Sequence, residues 1–118
     1  MNVKIDVSDK KKFENYYKDF LDLDNIELSE DNVGYGISDF LVIGCTFVIN
    51  ASLSGFTWDY IKEQLIPYIS LLFKTKRKQD NIYVSISDGI EDYDLDIPDN
   101  FNEVEIEIPN KLKMKLKK

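Results

Sequence analysis

The stretch Phe40–Trp58, FLVIGCTFVINASLSGFTW, runs nineteen residues without a formal charge, and its reading decides the fold. It is a membrane span, the core of a soluble domain, or a surface kept apolar for a partner. A span needs about 20 predominantly apolar residues. Here Asn50, Ser52, Ser54 and Gly55 interrupt the second half, and Asp39 and Asp59 flank the run where basic anchors would be expected. The dense part, FLVIGCTFVIN, has eleven residues, a length that suits a buried core element. Propensity alone leaves its conformation open. Val42, Ile43, Thr46, Val48 and Ile49 are β-branched and favour a strand. Ser38 as a cap, with the small residues Gly44, Cys45, Ala51, Ser52 and Ser54 behind it, equally fits a closely packed helix.

A chain of 118 residues with 43% hydrophobic content is long enough and apolar enough to bury a core without metals or disulfides. The expected organisation is one α+β domain over residues 1–118. In it a mostly antiparallel sheet of about four or five strands packs against two or three helices. A net charge of −7 works against nucleic acid or an anionic membrane as direct partner and favours a protein with a basic surface. The lone Cys45 excludes an intrachain disulfide and reads as a buried hydrophobe in a reducing cytoplasm. MNVK at the start resembles a strand rather than a signal peptide. Histidine is absent. That removes the Ser-His-Asp and Cys-His triads, the common zinc sites and the usual general base. Carboxylates alone can catalyse glycoside hydrolysis, but no phosphate loop or concave site is signalled. A non-enzyme without cofactor or metal is expected.

Outward from the apolar run, the periodicity places further elements. Val3, Ile5 and Val7 alternate with polar residues as in a half-buried strand. Ser8 or Asp9 can cap a helix over residues 10–22 whose stripe is Phe13, Tyr16, Tyr17, Phe20 and Leu21. Ile26 and Leu28 suit a short strand, and GYG at residues 34–36 suits a turn. Thr57 is an N-cap, with Phe56 and Ile61 placed as a hydrophobic staple, for a helix reaching about Lys74. KTKRK (residues 74–78) complements its C-terminus. Ile82, Val84 and Ile86 then form a strand, Asp88-Gly89 a turn, and Tyr93, Leu95 and Ile97 the return. Residues 101–118 form a predicted β-hairpin extension with a tail free to fray. A loop of Ile108, Pro109 and Asn110 would set Glu107, Glu105 and Glu103 opposite Lys111, Lys113 and Lys115, and Ile106 opposite Leu112.

Between Gln79 and Asn110 there are ten acidic residues and no basic one. Nine of them are the candidate partner-binding residues. Asp88, Glu91 and Asp92 follow the first hairpin strand, Asp94, Asp96 and Asp99 lie on and after the return strand, and Glu103, Glu105 and Glu107 lie on the next one. The alternative is a solvated outer sheet face. A calcium loop in DGIEDYDLD lacks the D-x-D-x-D-G order and the distal Glu. Alternating aspartates make a stripe, whereas a metal needs ligands wrapped around it.

The order of these signals resembles the small effector-associated constant component modules of bacterial conflict and defence systems. The pieces that carry it are VKIDV, FENYYKDFL, the segment from GYGISDF to FKTKRK, and NIYVSISDG, over residues 2–97. Pro67, the β-branched apolar run and the segment from Phe101 onward depart from that plan. The resemblance implies a helical apolar run and a non-enzymatic, associative role linking an effector to a partner. The function expected is therefore an acidic interaction module that binds and regulates a partner effector. The alternative is an immunity or anti-defence inhibitor that blocks the basic nucleic-acid-binding surface of a nuclease. A membrane-associated small protein ranks third.

Overall fold

The computed structural model describes residues 1–31, 39–49, 57–99 and 101–117. Within the apolar run, residues 42–48 form a strand, which corrects the helix that the family resemblance implied. The strands are β1 (Asn2–Val7), β2 (Ile26–Glu30), β3 (Val42–Val48), β4 (Asn81–Ser87), β5 (Asp92–Leu95), β6 (Glu103–Ile108) and β7 (Leu112–Lys117). The helices are α1 (Lys10–Tyr16), α2 (Lys18–Leu21) and α3 (Trp58–Thr75). The first five strands make one sheet in the order β2-β1-β3-β4-β5, and β6 and β7 pair separately. The fold is α+β and mostly sheet. The expected turn around Gly34 to Gly36, the Ser38 cap and the Phe56 half of the staple lie outside the described residues.

β3 is a strand because it has a neighbour on each side for its main-chain groups. It pairs antiparallel with β1 and parallel with β4. Its inward side chains, Ile43, Cys45 and Phe47, are buried, and those between them are half-buried. The β-branched residues fit such a pleated, doubly flanked position.

The topology explains why one sheet face holds the core. β1 and β2 are parallel neighbours joined through α1 and α2, and β3 and β4 are parallel neighbours joined through α3. Parallel crossovers are right-handed in about 98% of cases. Two such units set side by side with opposed strand directions place their helices on the same face. Val3, Ile5 and Val7 therefore align in register with Phe47, Cys45 and Ile43, all buried. Val84 and Ile86 extend that layer from β4. The other face carries the row Glu27, Lys4, Thr46, Ser85 and Asp94.

The expected first helix is broken in two. Asp9 caps α1, its carboxylate accepting the Lys12 N–H at 3.0 Å, but Tyr17 leaves helical geometry at φ −121°, ψ 28°. Phe13, Tyr17 and Phe20 are buried, whereas Tyr16 is 52% exposed and so falls outside the expected stripe. The Arg77 guanidinium lies over the Tyr16 ring, 3.9 Å from its centroid. α3 has the expected Thr57 cap, whose hydroxyl accepts the Tyr60 N–H at 3.1 Å. Ile61, Leu65, Ile69, Leu72 and Phe73 are its buried positions. The helix runs through Pro67 as one element; Pro67 is exposed, where water can take the freed carbonyl.

Tyr17 breaks the helix to reach a buried carboxylate. Its hydroxyl donates to Asp80 Oδ2 at 2.6 Å, and the Leu41 N–H donates to Oδ1 at 2.9 Å. Arg77 closes the site with two bonds of 2.9 Å, from Nε to Oδ2 and from Nη2 to Oδ1. The Arg77 N–H also donates to the Tyr17 hydroxyl at 3.1 Å, and Nη2 donates to the Asp39 carbonyl at 3.0 Å. Asp80 is 1% exposed. Burial alone would push its carboxyl up, but bonds from Arg77, Tyr17 and Leu41 outweigh that and hold it below the usual range. The basic cluster after α3 thus does more than complement the helix end.

β6 and β7 form the expected hairpin, which packs on α3 through β7, and Ile106, Ile108, Leu112, Met114 and Leu116 are all buried in the core. Phe101 anchors its start, edge-on to Phe73 at 5.6 Å. The register differs from the expected one by two residues. Glu107 faces Lys113, Ile108 faces Leu112, and the loop is Pro109, Asn110 and Lys111. Asn110 has φ 63°, and the Lys111 N–H donates to the Ile108 carbonyl at 3.0 Å, so Pro109 and Asn110 hold the two central positions of a tight turn. The tail is strand through Lys117 rather than frayed.

The carboxyl of Asp80 ionises more readily in the folded chain than the unfolded value of about 3.9. Its contribution is therefore complete above that value and is lost as pH falls through the lower, folded one. Asp80→Asn should cost about 3 kcal/mol at neutral pH, because it leaves Arg77 without its counter-ion. The same variant should lose less stability than the native chain between about pH 5 and the acid limit. Urea midpoints at neutral and acid pH test both, and an unchanged neutral midpoint would refute the role given to Asp80.

Candidate functional site

The candidate acidic residues divide into three groups once folded. The first holds the turn after β4. Gly89, at φ 89°, supplies a backbone conformation that side chains disfavour. Asp88 Oδ1 accepts the N–H groups of Ile90 at 2.9 Å and Glu91 at 2.8 Å. These N–H bonds hold the Asp88 carboxyl below its usual range. The Tyr93 hydroxyl donates to Asp88 Oδ2 at 3.3 Å and to Glu91 Oε2 at 2.8 Å. The Tyr93 ring meets Trp58 edge-on at 6.1 Å, and Lys111 Nζ lies 5.5 Å from both ring centroids. Asp88 is therefore a turn-forming residue first.

The second group lies on and just beyond β5, the edge strand. Asp94 sits opposite Ser85 and Asp92 opposite Ser87, on the sheet face away from the helices. Ser85 and Thr46 share a hydroxyl bond of 3.1 Å beside them. The return strand ends at Leu95, short of the expected Ile97. From there Asp96 and Asp99 border an open groove of about 580 Å³, whose opposite wall is Asn81–Val84 of β4. Asp99 lies 3.9 Å from Lys76 Nζ. Asp92, Asp94 and Asp96 are exposed and make no ion pair among the described residues.

The third group, on β6, is compensated by the tail. Glu105 pairs with Lys113 at 3.0 Å and Glu103 with Lys115 at 3.2 Å. These are diagonal partners, one pleat removed from the residues directly opposite. They match the pairs expected from the sequence even though the register does not. Glu107 faces Lys113 directly and helps to raise its pKa, after Glu105. The run of ten acids is thus not one surface. The aspartates at β5 carry the uncompensated charge, and the hairpin glutamates face a row of lysines.

Tyr83 was not singled out by sequence reasoning. It is 64% exposed on the same sheet face as Asp94, and it lines the groove. Its signal was available: a large aromatic in the polar phase of an alternating strand. The chemistry of the rest is limited. Among the described residues, no group of three or more His, Cys, Asp or Glu could hold a metal ion. Cys45 is buried, and desolvation pushes its thiol up, away from the nucleophilic thiolate. No helix among the described residues is long and apolar enough to cross a membrane. Comparison with protein-family models, with curated proteins and with solved structures gives no match.

The diagonal pairs of the hairpin should be weak but measurable. A double-mutant cycle with Glu105→Gln and Lys113→Gln should give a coupling of about 0.2–1 kcal/mol in low salt, falling as salt is added. Zero coupling for this pair, alongside coupling between Glu105 and Lys115, would contradict the diagonal contact.

Proposed function

We propose that this chain is a non-catalytic interaction module that binds the basic surface of a protein partner and regulates it, as an effector-binding component of a bacterial or phage conflict system. The observation that carries this reading is the uncompensated row of Asp92, Asp94 and Asp96 along an exposed sheet edge. Three carboxylates at alternate positions cost self-repulsion and add no packing. A complementary partner offsets that cost and gains association rate from the field of a chain with net charge −7. The absence of histidine and the buried thiol support a non-enzymatic role. The conflict-system setting rests on the pattern resemblance alone.

A second reading draws on the same row. Asp92 and Asp94 point the same way two residues apart, so their charges repeat every ~6.5–7 Å along the strand. A regular line of negative charge suits the basic groove of a nucleic-acid enzyme. On this reading the protein is an immunity or anti-defence inhibitor of a nuclease.

Affinity capture from the native host, followed by pairwise binding with the recovered partner, tests both. Asp92→Lys, Asp94→Lys and Asp96→Lys together should weaken pairwise binding by more than about ten-fold. The native complex should also loosen steeply between about 0.05 and 0.5 M salt. Binding that survives both would overturn the acidic-docking reading. Loss of a captured nuclease's activity in the complex would select the inhibitor.

A further inference from the structure

β5 stops pairing before β4 does. The ladder runs from Ser87↔Asp92 to Val84↔Leu95, while β4 begins at Asn81. Main-chain groups alternate sides along a strand. The Asn81 N–H donates to the Leu41 carbonyl and the Ser87 carbonyl accepts from the Ile49 N–H, so the odd-numbered residues of β4 face β3. Ile82, Val84 and Ile86 face the other way. Ile86 and Val84 meet Tyr93 and Leu95, but Ile82 faces the groove left where the chain turns off through Ile97 and Pro98. Continued in register, the ladder would set Asp96 beside Tyr83. The groove therefore joins an open main-chain position to an exposed aromatic ring and two carboxylates, Asp94 and Asp96.

The molecule already shows what such a set holds. Arg77 lies over the Tyr16 ring while its guanidinium bonds the carboxylate of Asp80. At Tyr83, Asp94 and Asp96 the same ring-and-carboxylate chemistry stands without a cation among the described residues. A guanidinium suits it better than an ammonium, being planar, weakly hydrated and able to stack and bond carboxylates at once.

We propose, resting on the acidic-docking reading, that this groove takes an extended, arginine-bearing segment of the protein partner. The segment adds beside β4 at Ile82, and its arginine stacks on Tyr83 between Asp94 and Asp96. Strand addition supplies main-chain bonds, and the side-chain pocket supplies the choice of residue.

The test uses the full chain and a labelled peptide, acetyl-Ser-Arg-Ser-Arg-Ser-amide, against its citrulline counterpart, which keeps the shape and removes the charge. In low salt the arginine peptide should bind at least about ten-fold more tightly by fluorescence polarisation. Amide shifts should centre on Ile82, Tyr83 and Asp96. Tyr83→Ala, and separately Asp94→Asn with Asp96→Asn, should each weaken binding several-fold with an unchanged melting temperature, since all three side chains are exposed. Equal binding of the two peptides, shifts centred on the β6–β7 hairpin, or indifference to Tyr83→Ala would overturn the groove. If Tyr83→Ala also leaves the captured partner bound while the triple lysine variant releases it, the groove fails and the acidic-docking reading stands. If neither variant releases it, both fail.

Discussion

The buried carboxylate of Asp80 is the constraint on which most of the architecture hangs. It gathers a phenol from the helical N-terminal connection, a main-chain N–H from the start of β3, and a guanidinium from the link after α3. A carboxylate taken out of water is tolerated only when its lone pairs are fully engaged and its charge is matched. Meeting that demand fixes three segments far apart in sequence at one point. It explains the break at Tyr17, since an unbroken helix would not need the φ of −121° found there. It also sets where β4 begins, because the Asn81 N–H returns to the Leu41 carbonyl one residue beyond Asp80. Among the described residues no buried side-chain nitrogen or oxygen lacks a partner, so the network carries no unmet cost.

Charge on the outside follows a different economy. The lysine-rich tail folds back so that its cations cover the hairpin glutamates, and the remaining excess of negative charge falls on the β5 edge. Short, charged edge strands also protect against unwanted strand pairing. The groove is the exception along that edge, since Ile82 lines it beyond the end of the β4–β5 ladder.

Much of this was legible from the residues where the period is strict. β1, β4 and both hairpin strands alternate cleanly, and α3 repeats at helical spacing between a threonine cap and a lysine end. β3 was not, for a physical reason. Its outward positions Val42, Gly44, Thr46 and Val48 are small or apolar and half-buried, so no polar phase marks the alternation. The hairpin faces were readable but the register was not, because a slip of two residues returns every side chain to the same face. The Asn110 backbone conformation settles it. The Asp80 site joins Tyr17, Leu41 and Arg77 across long stretches of chain, and no local pattern announces such a meeting. At the candidate site the acidity was readable; how much of it the tail offsets, and the place of Tyr83 beside it, needed the fold.

The strand order also bears on synthesis. β1, which precedes the other strands in the chain, is an inner strand whose antiparallel neighbour, β3, begins at Val42. Until β3 emerges, the first β-α-β unit can pair β1 with β2 but must leave its other edge open, with Val3, Ile5 and Val7 short of their final cover. Lys4 and Asp6, alternating with those residues, put a charge of each sign along that waiting edge. Laid parallel and in register with the same segment of a neighbouring nascent chain, they set like charge against like, which disfavours that pairing.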